Sequence, residues 1–176
     1  MIMRPGQQLL LPANPLFIWG SLVGAFLLMV LLNVSLWGGA AWAPDLLALT
    51  LVFWGVHQPQ RIGIGAAFVF GLLMDVHQGS VLGQHALAYS VLNFLAIAIH
   101  RRLLWFTLTA QALQVLLLFA AAHLVALAVR MMVGGSFPGF SLLLAPVFEA
   151  LLWPLANVLL LLPQRRAPDP DANRPL

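Results

Sequence analysis

Asp75, His77 and His85 are the residues whose types and spacing come nearest to a chemical site, a carboxylate and two imidazoles within one short stretch. Donors of this kind suit a divalent cation. Positions i and i+2 of a helix point to different sides, so Asp75 and His77 converge only across an irregular turn. Histidines at an aqueous boundary are ordinarily just solvated, and neither a metal nor a cofactor is expected. A second pair, His123 and Glu149, lies in two different apolar stretches, each about seven residues, or ~10 Å, from the same side. The two could pair as a buried polar couple; the alternative is that Glu149 reaches water near Pro146. Catalytic patterns are missing: there is no G-x-S-x-G elbow, H-E-x-x-H helix or G-x-x-x-x-G-K-[ST] loop. Five acids and five histidines, scattered along the chain, assemble no obvious acid and base beside a nucleophile.

The elements that must position these groups follow from composition. Of 176 residues, 62% are hydrophobic and 7% charged, against ~25% charged in soluble domains. The expected class is an all-α polytopic membrane protein with six transmembrane helices. The eight basic side chains are all arginine and form no patch, so nucleic acid is not an expected partner. Absence of cysteine excludes disulfides and thiolate metal sites.

A polar segment over residues 1–15 precedes a first span at 16–37, a largely apolar run whose 22 residues exceed the ~7 to 15 of a signal core despite the small-x-small pattern at Ala41-Trp42-Ala43. Gly20 and Gly24 notch this helix. The second span covers 44–56, with Asp45 accepting from the free amides of the first turn and Trp42 and Trp54 placed as interfacial anchors. Pro59 stops it, and Arg61 leads into the third. Spans four, five and six are expected at 80–99, 103–129 and 142–162, with Gln111 and Gln114 bonding to a neighbouring helix and Pro146 and Pro154 bending the last. A Pro-, Arg- and Asp-rich tail over 163–176 is expected to be disordered.

Residues 61–86 are the stretch around which this array is organised. Gly63, Ala67, Gly71 and Asp75 recur every four residues, which on a helix makes a side-chain-poor stripe ending in a carboxylate. Such a stripe lets another helix come close. Gly79 and Gly83 repeat the spacing, and the polar run between the two stripes reads as an elbow. The apolar part, 62–74, rises only ~20 Å against a hydrocarbon thickness of ~30 Å, so Asp75 sits below the membrane surface unless the bilayer thins. A carboxylate at that depth costs ~2.5 to 3.5 kcal/mol on insertion scales and normally has a partner. The plain alternative is that Asp75 ends the helix with its head in water.

With six spans, Arg4, Arg61, Arg101, Arg102, Arg165, Arg166 and Arg174 fall on one side and Arg130 alone on the other. Positive residues mark the cytoplasmic side, so both termini are expected there and the Asp75 elbow outside.

Pro44-Asp45-Leu46-Leu47, Trp54, Pro59 and Arg61-Ile62-Gly63, then Gly71-Leu72-Leu73-Met74-Asp75, Gly79 and Leu82-Gly83-Gln84-His85-Ala86-Leu87, resemble the rod shape-determining protein MreD family. The likeness runs over roughly 44–102, and length, span count and termini agree with it; elsewhere it is only hydrophobic. The resemblance implies a non-enzymatic inner-membrane component of the bacterial elongation machinery, associating with MreC and, with it, the actin-like MreB and the peptidoglycan synthases of the lateral wall. It also implies a fold like the substrate-binding subunit of energy-coupling-factor vitamin transporters. Pro59, Arg61, Gly63, Gly71, Asp75, Gly79 and Gly83 become the candidates for packing and partner contact. Two functional classes compete: a membrane adaptor that holds partner helices, and a small-solute or lipid-precursor binding protein or transporter with an outward-facing pocket near Asp75, His123 and Glu149. A membrane enzyme ranks third. Stoichiometric binding of a small molecule, as opposed to co-purification with a single-span partner, separates the first two.

Overall fold

A computed structural model describes residues 13–164. Arg4 and most of the polar segment at 1–15 lie outside the described residues, as do Arg165, Arg166, Arg174 and all but the first two residues of the tail at 163–176. Six α-helices make up the fold: α1 (Pro15–Leu32), α2 (Leu46–His57), α3 (Ile64–Gln78), α4 (Gln84–Leu103), α5 (Leu108–Met132) and α6 (Leu144–Leu161). A π-helical turn, Asn33–Trp37, extends α1, and a 3₁₀ turn, Phe140–Leu143, leads into α6. Three segments are long and apolar enough to cross a membrane, Pro15–Trp37, Leu108–Met132 and Phe140–Gln164. With 12 and 15 residues, α2 and α3 rise only ~18 and ~22 Å.

Helix ends follow local chemistry. Asn14 accepts from the Leu16 amide at 3.0 Å, with Pro15 as the first helical residue of α1. Asp45 caps α2 by accepting from Leu47 and Ala48, both at 3.0 Å. Gly79 (φ 61°) and Gly83 (φ 100°) bracket the elbow in left-handed conformations. Their glycine character therefore answers to backbone geometry and not to a second helical stripe, because α4 begins only at Gln84. Leu103 closes α4, and α5 starts at Leu108, five residues later than the apolar pattern suggests. Pro146 falls in the first turn of α6, where its missing N–H has no intrahelical partner to lose, and the helix runs through Pro154.

The short α2 lies at the centre. Every residue from Leu47 to Val56 is buried, and the helix packs against α1, α4 and α6. A helix apolar on all sides belongs in such a position. Trp54 is part of this core and is not an interfacial anchor: it is fully buried, its indole N–H donates to Ser21 Oγ at 2.8 Å, and its ring meets Phe17 and Phe53 edge-on. Around α2, α3 packs on α4, α4 on α5 and α5 on α6.

The backbones of α3 and α4 come close at Gly71. Ala67, Gly71 and Asp75 of the stripe face inward, whereas Gly63 precedes α3 and a Cβ on it meets nothing within 4 Å; a Cβ on Gly71 would come within 2.4 Å of Ala86 Cα. No side chain fits there. Gly20 and Gly24 differ, since a Cβ on either meets nothing within 4 Å. The outer faces carry exposed Leu27, Phe68, Val69, Leu117 and Leu151, the apolar belt that a lipid-embedded bundle presents.

Candidate functional site

The connections α1–α2, α3–α4 and α5–α6 gather at one end of the bundle, where their residues line common cavities. The three acidic side chains among the described residues, Asp45, Asp75 and Glu149, lie buried below them. Asp75, in the last turn of α3, is fully buried. Its Oδ1 accepts from Ser80 Oγ and from the His85 amide at 2.8 Å each, and its Oδ2 accepts from the Gly83 amide at 2.8 Å and the Ala86 amide at 3.4 Å. The first amides of a helix have no partner within it, and Gly83 has no side chain with which to supply one. Asp75 therefore caps α4 from α3, and the glycine one turn earlier allows the approach. The reading of Asp75 as a carboxylate with its head in water is thereby corrected.

His85 Nδ1 stands 2.8 Å from the same Oδ1, and its ring lies edge-on to Tyr89 at 5.9 Å. Tyr89 donates from its hydroxyl to Asp45 Oδ2. The Asp45 amide donates to Glu149 Oε1 at 2.9 Å, and His123 Nε2 stands 2.9 Å from that oxygen. Two hydrogen-bonded clusters, Asp75 with His85 and Tyr89 with Asp45, Glu149 and His123, therefore meet where the rings of His85 and Tyr89 touch edge-on, with contributions from five of the six helices. Only α1 stays outside them, and its Met29 Sδ receives the Leu46 amide at 3.4 Å. Capping is thus half of what Asp45 does.

Ser80, His85 and Asp75 have the composition of a hydrolytic triad without its geometry. In such a triad the imidazole stands between serine and carboxylate, using a different nitrogen for each. Here Ser80 Oγ approaches the same Nδ1 that faces Asp75, at 3.3 Å, and itself bonds the carboxylate. The cluster is a knot, not a relay.

The expected residues divide between two ends. His77 turns away from Asp75, with its ring edge-on to Phe26 of α1, because the i, i+2 relation on a regular helix keeps the two apart. Among the described residues, no group of three or more His, Cys, Asp or Glu is placed to hold a metal ion. Pro59, Arg61 and Gly63 lie in the turn between α2 and α3 at the opposite end, which Asn93 Nδ2 ties to α4 through the Ile62 carbonyl at 3.2 Å. Gln111 bonds across helices, receiving Trp153 Nε1 at 3.1 Å. Sequence reasoning passed over Tyr89 and the Asp45–Glu149 link. The one available signal was that Tyr89 is the only tyrosine of the chain and stands four residues after His85.

Two adjoining cavities of about 390 and 550 Å³ open at this end and share Asn33, Gln78, Gln84 and Arg130 in their walls. Asp45, His85 and His123 line the smaller one.

A comparison with curated proteins finds the rod shape-determining protein MreD of Haemophilus influenzae, 28% identical over an alignment of 148 residues, with 81% of this chain and 89% of that protein covered. No solved structure matches. The model of the rod shape-determining protein MreD family matches residues 13–162, most of the chain and all six helices, and the chain belongs to that family.

Proposed function

We propose that this protein is a non-catalytic, multi-pass component of the bacterial inner membrane that works in the cell-elongation complex as a helix-packing adaptor for MreC. MreB and the lateral peptidoglycan synthases join it directly or through that partner. Family membership carries the coarser statement, a role in rod shape determination. The adaptor reading rests chiefly on how the polar groups are used: the buried acids and His85 and His123 bond to one another and to helix ends, and among the described residues no nucleophile stands beside a free base. What the bundle offers to others is shape and apolar surface. Gly71, Asp75, Gly79 and Gly83 set that shape at the elbow, and Pro59, Arg61 and Gly63 at the far turn.

Six spans with cytoplasmic termini complete the reading, on a fold like the binding subunit of energy-coupling-factor transporters. Arginine distribution supports the orientation, since Arg61, Arg101 and Arg102 lie exposed at the end away from the elbow and Arg130 lies at the elbow end. The test is depletion in a rod-shaped host, with complementation by this chain and photocrosslinking from exposed positions of α3 such as Phe68 and Val76. Rod shape should return together with a crosslink to a single-span protein. Restored shape with no protein crosslink from any outer face would overturn the adaptor role.

A further inference from the structure

The end of the bundle away from the elbow carries charge that nothing among the described residues answers. Arg101 and Arg102 stand in the last turn of α4, and both are exposed. The three described acids, Asp45, Asp75 and Glu149, lie buried toward the elbow, and the two ion pairs among the described residues, His85 with Asp75 and His123 with Glu149, lie there too. Two adjacent guanidiniums with no paired carboxylate attract an anion from their surroundings.

The turn that follows is apolar and firmly held. Trp105 is 91% exposed, the most exposed of the described large hydrophobic side chains, and Leu104 and Phe106 are exposed beside it. This is no loose loop. The amides of Leu104, Trp105 and Phe106 donate to the carbonyls of His100, Arg102 and Leu103 at 3.1 to 3.2 Å, Gln111 Nε2 donates to the Phe106 carbonyl at 3.0 Å, and Leu103 is wholly buried. The fold therefore presents an indole within one turn of two guanidiniums.

Height decides what these groups meet. The 20 residues of α4 rise ~30 Å, the thickness of the hydrocarbon core, and Leu87 and Phe94 are exposed along its outer face. Arg101 and Arg102 thus stand at the level of lipid phosphates, and Trp105 at the interface that tryptophan favours. There the ring packs on apolar chains while its N–H meets an ester oxygen. Positive-inside bias asks only for charge, whereas a fixed aromatic turn beside that charge suits a lipid.

We propose that Arg101, Arg102 and Trp105 form a docking site for one anionic phospholipid, with its phosphodiester on the two guanidiniums and its glycerol and upper acyl region against the indole. The guanidinium fork matches phosphate oxygens. Every phospholipid has that phosphate, so selection comes from the rest of the head group. A zwitterionic lipid brings an ammonium toward two arginines, with no described carboxylate paired there to receive it, whereas phosphatidylglycerol meets attraction alone. The site is independent of the adaptor role and of which side of the membrane this end faces.

The full chain, purified in detergent, would be titrated with phosphatidylglycerol and phosphatidylethanolamine of the same acyl chains, and bound lipid counted by native mass spectrometry. Phosphatidylglycerol should bind at one per chain and about thirtyfold tighter, at about fivefold for each arginine. Arg101→Gln with Arg102→Gln should bring phosphatidylglycerol down to the phosphatidylethanolamine level and leave the latter where it was. Trp105→Ala should weaken both lipids alike and keep the preference. Arg61→Gln removes an equal charge from an exposed position nearer the bundle centre, since Asn93 holds the α2–α3 turn eight residues, or ~12 Å, before Arg101; its preference should be that of the wild type. All four side chains are exposed, so an unchanged unfolding midpoint checks that each variant folds. No preference in the wild type, a preference that survives loss of both arginines, unaltered binding in Trp105→Ala, or an equal loss in Arg61→Gln would overturn the proposal. So would binding of polyglutamate without binding of phosphatidylglycerol, which would assign the arginines to an acidic protein.

Discussion

The backbone N–H of Asp45 donates to Glu149 Oε1 at 2.9 Å across 104 positions of sequence. Since the same oxygen meets His123, a single buried carboxylate ties the start of α2 to the bodies of α5 and α6. Removing a partner from a buried polar group costs ~1 to 3 kcal/mol, so the shared oxygen favours one register of these three helices.

Removing either side of that contact should expose the coupling. Glu149→Leu leaves the Asp45 amide and His123 without their acceptor, and His123→Leu removes the one side-chain partner of Glu149 Oε1. A double-mutant cycle by thermal unfolding in detergent should give a coupling of ~0.6 to 1.7 kcal/mol, the range seen for interhelical bonds in membranes. Strictly additive losses would show that the two residues do not interact.

Asp75 should behave as a cap. Asp75→Leu strips the acceptor from Ser80 Oγ and from the Gly83 and His85 amides, and each buried donor left alone costs ~1 to 3 kcal/mol. Asp75→Asn keeps one oxygen and the side-chain shape, so its unfolding midpoint should fall between wild type and Asp75→Leu. If both variants unfold together and far below wild type, charge and not capping is what the site requires.

Helix α3 should reject any side chain at Gly71. In Gly71→Ala the new Cβ meets the backbone of Ala86 at 2.4 Å, which can yield only if α3 and α4 part, at ~1 to 3 kcal/mol for overpacking. Gly20→Ala, with open space around it, should be neutral or slightly stabilising. Membrane accumulation and unfolding midpoints of the two variants test this, and equal behaviour would place Gly71 outside the packed face.

Orientation can be read with single cysteines, because the chain has none of its own. Exposed Gln78 and Ser136 at the elbow end should react with an impermeant maleimide from outside the cell, and exposed Gln60 at the opposite end should not. Labelling at position 60 in intact spheroplasts would reverse the orientation.

Much about this protein was decided locally and is legible in the chain. Long apolar runs with few charges are those of lipid-embedded helices, Asp45 caps the helix that follows it, and the four-residue spacing through Ala67, Gly71 and Asp75 puts them on one face whatever that face meets. What the tertiary structure decided was which groups meet. Trp54 became core because α2 is surrounded, Gly79 and Gly83 became turn residues because α4 starts late, and Asp75 became the cap of the next helix because Gly71 lets that helix in. Tyr89 with Asp45, and Asp45 with Glu149, could not be read from spacing. Sequence periodicity sets the face a side chain occupies, whereas its partner depends on which helix packs there and at what height.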